Sequence, residues 1–268
     1  MSTVPLEWPA LAMAAVLIFI LGLFSLPLGV TRSLYWSALR MAVQLLLVGM
    51  VLKWLFESYS LISVALISLV MLAAAGYEVL QRQRRRFRGV WGYSIGLMAM
   101  LIAAFSVTIL ALNAMFQLPV WYEPRYSVTI LGMVLGNTMT GVGVSLEQLT
   151  REAWSQRGAI EAKLAQGYSA SEAIFDLRRS CVWTGMIPTI NALAAAGLIS
   201  LPGMMTGQIL AGTDPLEAVK YQFLIMCLIA AGAGFGTLVA VWIGSRRLFD
   251  ERQRLRLDYL TVSRRRGS

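Results

Sequence analysis

Asn137 and Asn191 place side-chain amides inside stretches that otherwise read as lipid-soluble, VLGNTMTGVG and IPTINALAAAG. An amide without water needs a partner, so each is either a hydrogen-bonded tie between helices or a lining group of an aqueous path. Pro188 removes one helical hydrogen bond and frees a carbonyl that Thr189 or Asn191 can re-satisfy, so a kink is expected there. Further on, SLPGMMTGQILAG (200–212) sets Pro202, Gly203, Met204, Met205, Gly207 and Gln208 in an apolar, glycine-laced run. Pro202 and Gly203 should end the helix that enters it. Its thioethers are soft and adaptable, better suited to a constriction than to a hard-metal site. The chemistry these residues offer is passage, not bond-making. The chain has no histidine, the commonest general base and transition-metal ligand. Cys181 and Cys227 sit in apolar runs, where they read as small buried hydrophobes, and no disulfide or zinc spacing is present. No group with the count or spacing of a metal site stands out, which leaves any metal-binding residues unknown. Nor is there a G-x-x-x-x-G-K-[ST] run, so the chain itself has no nucleotide cofactor site.

The elements that must position these residues follow from composition. Of 268 residues, 57% are hydrophobic and 14% charged, and mean hydropathy is +0.66. Soluble domains hold about 25% charged residues, so the chain reads as an all-α polytopic membrane protein. Composition also disfavours an enzyme. Apolar windows predict about seven transmembrane helices, near 9–30, 38–57, 60–80, 90–117, 127–149, 182–201 and 221–245. No Lys or Arg precedes the first, so it lacks the basic region of a cleaved signal peptide. With the amino terminus outside, the inner segments 31–40, 81–89, 150–180 and 245–268 carry two, five, five and eight Lys/Arg, twenty of the twenty-three in the chain. That bias puts the carboxyl terminus in the cytoplasm. It also makes the net charge of +9 an orientation signal, with no nucleic-acid partner implied. RQRRRFR (82–88) and SRRRGS (263–268) can also touch anionic lipid. Residues 1–245 then form one transmembrane permease-like domain, and 246–268 a basic cytoplasmic tail.

On this orientation the 200–212 run lies at the outer end of the sixth span. In one reading residues 204–211 form a short surface helix before Asp214, an N-cap, and Pro215, at the first helical position, start the seventh span. That leaves Leu201, Met204, Met205, Ile209 and Leu210 facing water. In the other, which we favour, the run dips back into the membrane and packs against protein as an outer gate. Small residues one turn apart, Gly132/Gly136, Gly203/Gly207 and Gly232/Gly236, allow close helix packing within one chain or between two.

The inner segment 150–180, TREAWSQRGAIEAKLAQGYSASEAIFDLRRS, reads as two short helices around Gly167, which suits a left-handed helix end. Ser169 followed by Glu172 is a capping box. Glu161-Ala162-Lys163 with Gly167 resembles the E-A-A-x-x-x-G coupling motif of ABC-transporter permeases, although Lys163 stands where that motif has a second alanine. In that family the helix beside the glycine fits a groove on an ATPase subunit.

RMAVQLLLVGMVLKWLF (40–56), GMVLGNTMTGVG (132–143), IPTINALAAAGLISLPGMMTGQILAG (187–212) and DPLEAVKYQ (214–222) together resemble the iron-export ABC permease family of Fet type, which includes plant members tied to aluminium tolerance. The resemblance covers nearly all of residues 30–245. It implies a transmembrane subunit in the bacterial inner membrane, working as a homodimer, that exports iron or a metal-linked solute. ATP would be hydrolysed on a separate cytoplasmic ABC ATPase. Glu161, Ala162, Gly167, Ser169 and Glu172 would couple the two. Asn137, Pro188, Asn191 and the run from Pro202 to Gln208 would line or gate the path. The alternative, an ATP-independent carrier or channel, needs intramembrane carboxylates or inverted repeats; Glu78 and Glu147 lie near span ends and make a poor relay.

Overall fold

The computed structural model describes residues 8–24, 26, 29, 31–58, 60–115, 120 and 122–262. The amino-terminal residues 1–7 and the 263–268 run fall outside them. Backbone in lipid must bond to itself, so the apolar runs become long helices. They are α1 (Trp8–Phe24), α2 (Thr31–Ser58), α3 (Leu61–Arg82), α4 (Trp91–Met100), α5 (Ser106–Leu110), α6 (Pro124–Ser155), α7 (Arg157–Ala165), α8 (Ala170–Ala173), α9 (Phe175–Ala195), α10 (Gly203–Leu210) and α11 (Pro215–Arg247). α4 and α5 form one rod with two wide π-helical turns, Leu101–Phe105 and Ala111–Met115. Among the described residues, five helices are long and apolar enough to cross a bilayer: Thr31–Phe56, Leu61–Arg82, Trp91–Ala114, Pro124–Ser155 and Pro215–Arg247. α1 is apolar but shorter, and α9 opens with Asp176, Arg178 and Arg179, which confines its apolar stretch to the remainder. The molecule is an all-α polytopic membrane protein with one small addition, an antiparallel ribbon of β1 (Arg85–Phe87) and β2 (Leu260–Val262).

The core is the seam where α6, α9 and α11 cross. A Cβ at Gly141 would come 2.7 Å from Thr237 Oγ1 and 3.2 Å from the Gly185 carbonyl. One at Gly236 would meet Thr138 Cγ2 at 2.4 Å, and one at Gly232 would meet Val134 Cγ1 at 2.5 Å. Only glycine lets these backbones approach so closely, and in lipid that approach supplies the dispersion contacts that hold helices together. Of the three Gly-x-x-x-Gly pairs, only Gly232/Gly236 packs fully inside the chain; Gly136, Gly203 and Gly207 meet nothing within 4 Å.

Two expectations need correcting. The sixth span does not run to Pro202: α9 stops at Ala195, where Gly197 takes φ +85° and the Ala195 carbonyl accepts from both Ile199 and Ser200 N–H. Pro202 and Gly203 then start a helix, with Pro202 as its N-cap. Proline lacks an N–H that a first helical turn does not need, so the same residue serves either end. Cys227, for its part, is exposed while Cys181 is buried, because in a membrane an apolar residue gains nothing by turning away from lipid.

The chain beyond α11 folds back. Phe249 bridges Leu255 around a turn, and β2 pairs with β1 in the register Phe87↔Leu260 and Arg86↔Thr261. Thr150 Oγ1 donates to the Arg85 carbonyl at 2.9 Å, and Arg84 N–H donates to Glu147 at 2.7 Å. The segments 84–88, 150–176 and 249–262, which hold ten Lys and Arg residues between them, therefore meet at one end of the bundle. There Arg85 lies 4.2 Å over Trp154, and Arg247 sits 4.7 Å from Trp91 and 4.6 Å from Tyr259.

Candidate functional site

At that basic end, α7, α8 and the start of α9 make a rigid elbow between two long helices. α7 ends in a Schellman motif: Gly167 at φ +91° donates to the Leu164 carbonyl at 3.0 Å, and Tyr168 N–H donates to the Lys163 carbonyl at 3.2 Å. α8 opens with the capping box, Glu172 N–H donating to Ser169 Oγ and the Ser169 N–H donating to Glu172 at 2.9 Å. The Ser169 hydroxyl also donates to that carboxylate at 2.6 Å, and these bonds hold the Glu172 carboxyl below its usual range. Lys163 bridges to Asp176 at 3.1 Å, tying α7 to α9. Ile160, Ala173 and Ile174 bury the elbow's inner side in the core. Glu161, Ala162, Gly167 and Glu172 are exposed on its outer side, and Ser169 is half-buried.

Sequence reading missed the brace on this elbow. Gln253, at φ +58° in the turn after α11, accepts the Ala170 N–H at 2.8 Å. A bond across 83 residues leaves no local signal. Gln253→Ala removes the acceptor and should speed amide exchange at Ala170 by about fivefold, the yield of a hydrogen bond worth roughly 1 kcal/mol. Hydrogen-exchange mass spectrometry on the full chain checks this, and unchanged exchange would remove the brace from the elbow.

The residues expected to line a path lie on α6, α9 and α10. Asn137 is exposed on α6 and donates to the Met133 carbonyl of its own helix at 2.8 Å, so among the described residues it ties no two helices. Asn191 and Pro188 are exposed on α9. α10 runs back to back with the first two turns of α11, where the Met205 N–H reaches Gln222 Oε1 at 3.3 Å. Asp214 caps α11, its Oδ1 accepting from Leu216 N–H at 2.9 Å, and Pro215 opens it, as expected. Those turns hold the Glu217–Lys220 ion pair, and ionised residues are costly at membrane depth. α10 is thus a short helix packed against α11 beside that charged start. Met204 packs against the core and Gln208 hides an Oε1 with no partner among the described residues, while Leu201 and Leu210 are exposed.

Reading the sequence also passed over the threonines of the seam. Thr138 and Thr237 of the seam, and Thr108 on α5, bury hydroxyls that meet no hydrogen-bond partner among the described residues. The available signal was the spacing of small residues, Gly141/Ser145 and Gly185/Thr189, one turn apart on facing helices. Among the described residues no three Cys, Asp or Glu side chains come together as a metal-ligand group.

The family model described as "Uncharacterised protein family (UPF0014)" matches residues 8–249. The chain belongs to the UPF0014 family. Similar members include the UPF0014 membrane protein slr1647 of Synechocystis, 34% identical over 229 residues, covering 85% of this chain and 87% of that protein. Protein ALUMINUM SENSITIVE 3 of Arabidopsis thaliana is 32% identical over 237 residues, 88% of this chain and 84% of its own. The probable iron export permease protein FetB of Escherichia coli is 29% identical over 248 residues, 92% and 93% of the two chains. No solved structure matches. The UPF0014 match spans every helix from α1 to α11, so elbow, seam and α10 all lie inside the family's common region.

Proposed function

We propose that this UPF0014 chain is the transmembrane permease subunit of an ATP-driven exporter of iron or a metal-linked solute. The reading is carried by one observation: a doubly capped helical elbow, buried on its inner side and exposed on its outer side, set between α6 and α9. A rigid body so placed can turn the closing movement of an ATPase into tilting of both helices. Glu161, Ala162, Gly167, Ser169 and Glu172 form the contact, and the ATPase, with its ATP, is a separate cytoplasmic chain. The end carrying the elbow faces the cytoplasm, in keeping with the basic segments gathered there. Two copies enclose the path. The exposed Gly136 and Asn137 on α6, which no described residue covers, support that pairing. Iron enters by likeness to FetB.

The test is cellular. Cells without the gene, ATPase intact, should hold more iron than wild type under ferrous load, and the restored gene should reverse this. Unchanged internal iron would remove iron as cargo. With purified proteins, an ATPase whose hydrolysis ignores the addition of this chain would remove the coupling.

A further inference from the structure

An open groove of about 960 Å³ runs down one side of the bundle between α9 and α11. Its floor is apolar, with Trp183, Met186 and Ile190 from α9 facing Leu238, Val241 and Trp242 from α11. Its head carries Arg178 and Arg179. A smaller recess of about 310 Å³ continues from that head, sharing Arg178 and Trp242 and adding Ser171, Ser245 and Arg246. Arg246 lies 4.0 Å over the Trp242 ring, and Arg178 donates to Ser171 Oγ at 3.1 Å, so both guanidiniums are held at the groove mouth. The one acid on the groove, Asp176, already faces Lys163 at 3.1 Å. Arg179 has no acidic partner among the described residues.

Dimensions and charge together select the occupant. From Arg179 to Ile190 is eleven residues, about 16 Å at 1.5 Å per residue. That is about half of a 30 Å hydrocarbon layer, the depth of one leaflet. A ligand that fills the groove must be anionic at one end and apolar for one leaflet's depth below it. We infer that the groove binds an anionic phospholipid of the leaflet at the basic end, its phosphate between Arg178, Arg179 and Arg246 and an acyl chain along Met186, Ile190 and Leu238. A second copy of this chain is a poor occupant. An isologous contact would bring the same three arginines against their own copies, with no acid left over to meet them. The carboxyl-terminal run SRRRGS is excluded by the same sign of charge.

The full-length protein, reconstituted in phosphatidylcholine vesicles, reports on this site through its own tryptophans. Brominated phosphatidylglycerol or brominated phosphatidylcholine is titrated in, and the quenching of a W183F/W242F variant is subtracted to isolate the groove. The wild-type groove should be half-quenched at a several-fold lower fraction of the anionic lipid than of the zwitterionic one. Each arginine near an anionic headgroup contributes about fivefold. R178Q/R179Q should erase the preference while keeping the elution volume of the wild type. Leu238→Trp, which fills the floor, should reduce quenching of Trp183 by both lipids. Equal quenching by the two lipids in the wild type overturns the assignment, and so does a preference that survives R178Q/R179Q. Efficient disulfide linkage of W183C chains into dimers overturns it as well, because the groove would then be covered by protein.

Discussion

Gly185→Val is expected to cause a large loss of stability. A Cβ at Gly185 would lie 2.8 Å from Thr237 Cγ2, 2.9 Å from the Gly141 carbonyl oxygen and 2.9 Å from Ser145 Cβ. The carbonyl is α6 backbone and cannot rotate away, so valine must push α9 off α6 and α11 together. Overpacking of a filled core costs about 1–3 kcal/mol and occasionally more, and this site should lie at the upper end. Lipid offers no compensation, since separated helices lose packing without gaining any hydrophobic drive to return. Size-exclusion chromatography in detergent should show most of the variant in the void volume. Gly49→Ala, inside α2, is the matched control: nothing lies within 4 Å of its Cβ position, and removing a helical glycine is neutral or stabilising by about 0.5–1 kcal/mol. If Gly185→Val elutes and melts like the wild type, the three-helix crossing is not where the fold is held.

What was legible in the residues follows the range of the interactions that decide it. Membrane segments announce themselves by length and apolarity, so five of the seven expected spans fall on helices long and apolar enough to cross a bilayer, while 9–30 overlaps the shorter α1 and 182–201 runs past the end of α9. Which helices touch is less legible. In lipid both faces of a helix are apolar, and the seam is marked only by small residues such as Gly141 and Gly185. The elbow was readable because its chemistry is local: Gly167, Ser169 and Glu172 cap helices within five residues of one another. Pro202 was misread because proline can precede a helix as well as end one, and the deciding residue, Gly197, lies five positions upstream. The segment read as a basic tail is bound instead by Phe87 opposite Leu260 and by Arg247 between Trp91 and Tyr259. Those pairs are up to 173 residues apart, and charge counting cannot find them.

Gly167→Pro is expected to abolish transport and leave the membrane bundle intact. Gly167 sits at φ +91°, whereas proline fixes φ near −65°, and the substitution also removes the N–H that donates to the Leu164 carbonyl. The Schellman end of α7 must then unwind, and the exposed side of the elbow loses its fixed angle to α8. α8 itself should keep its cap. Folding holds Glu172 more acidic than an ordinary carboxyl, so the cap is complete above the usual carboxylate range and is lost only as pH falls through the lowered value. An assay near pH 7 therefore isolates the Gly167 end. Because Gly167 is exposed and nothing lies within 4 Å of its Cβ position, the variant should elute and melt like the wild type. ATP-dependent export by the variant with its ATPase should drop at least tenfold. Gly167→Ala keeps the N–H and meets only the left-handed penalty, about 1–2 kcal/mol, so it should retain measurable export. A proline variant that folds and exports at the wild-type rate would show that force does not pass through this elbow.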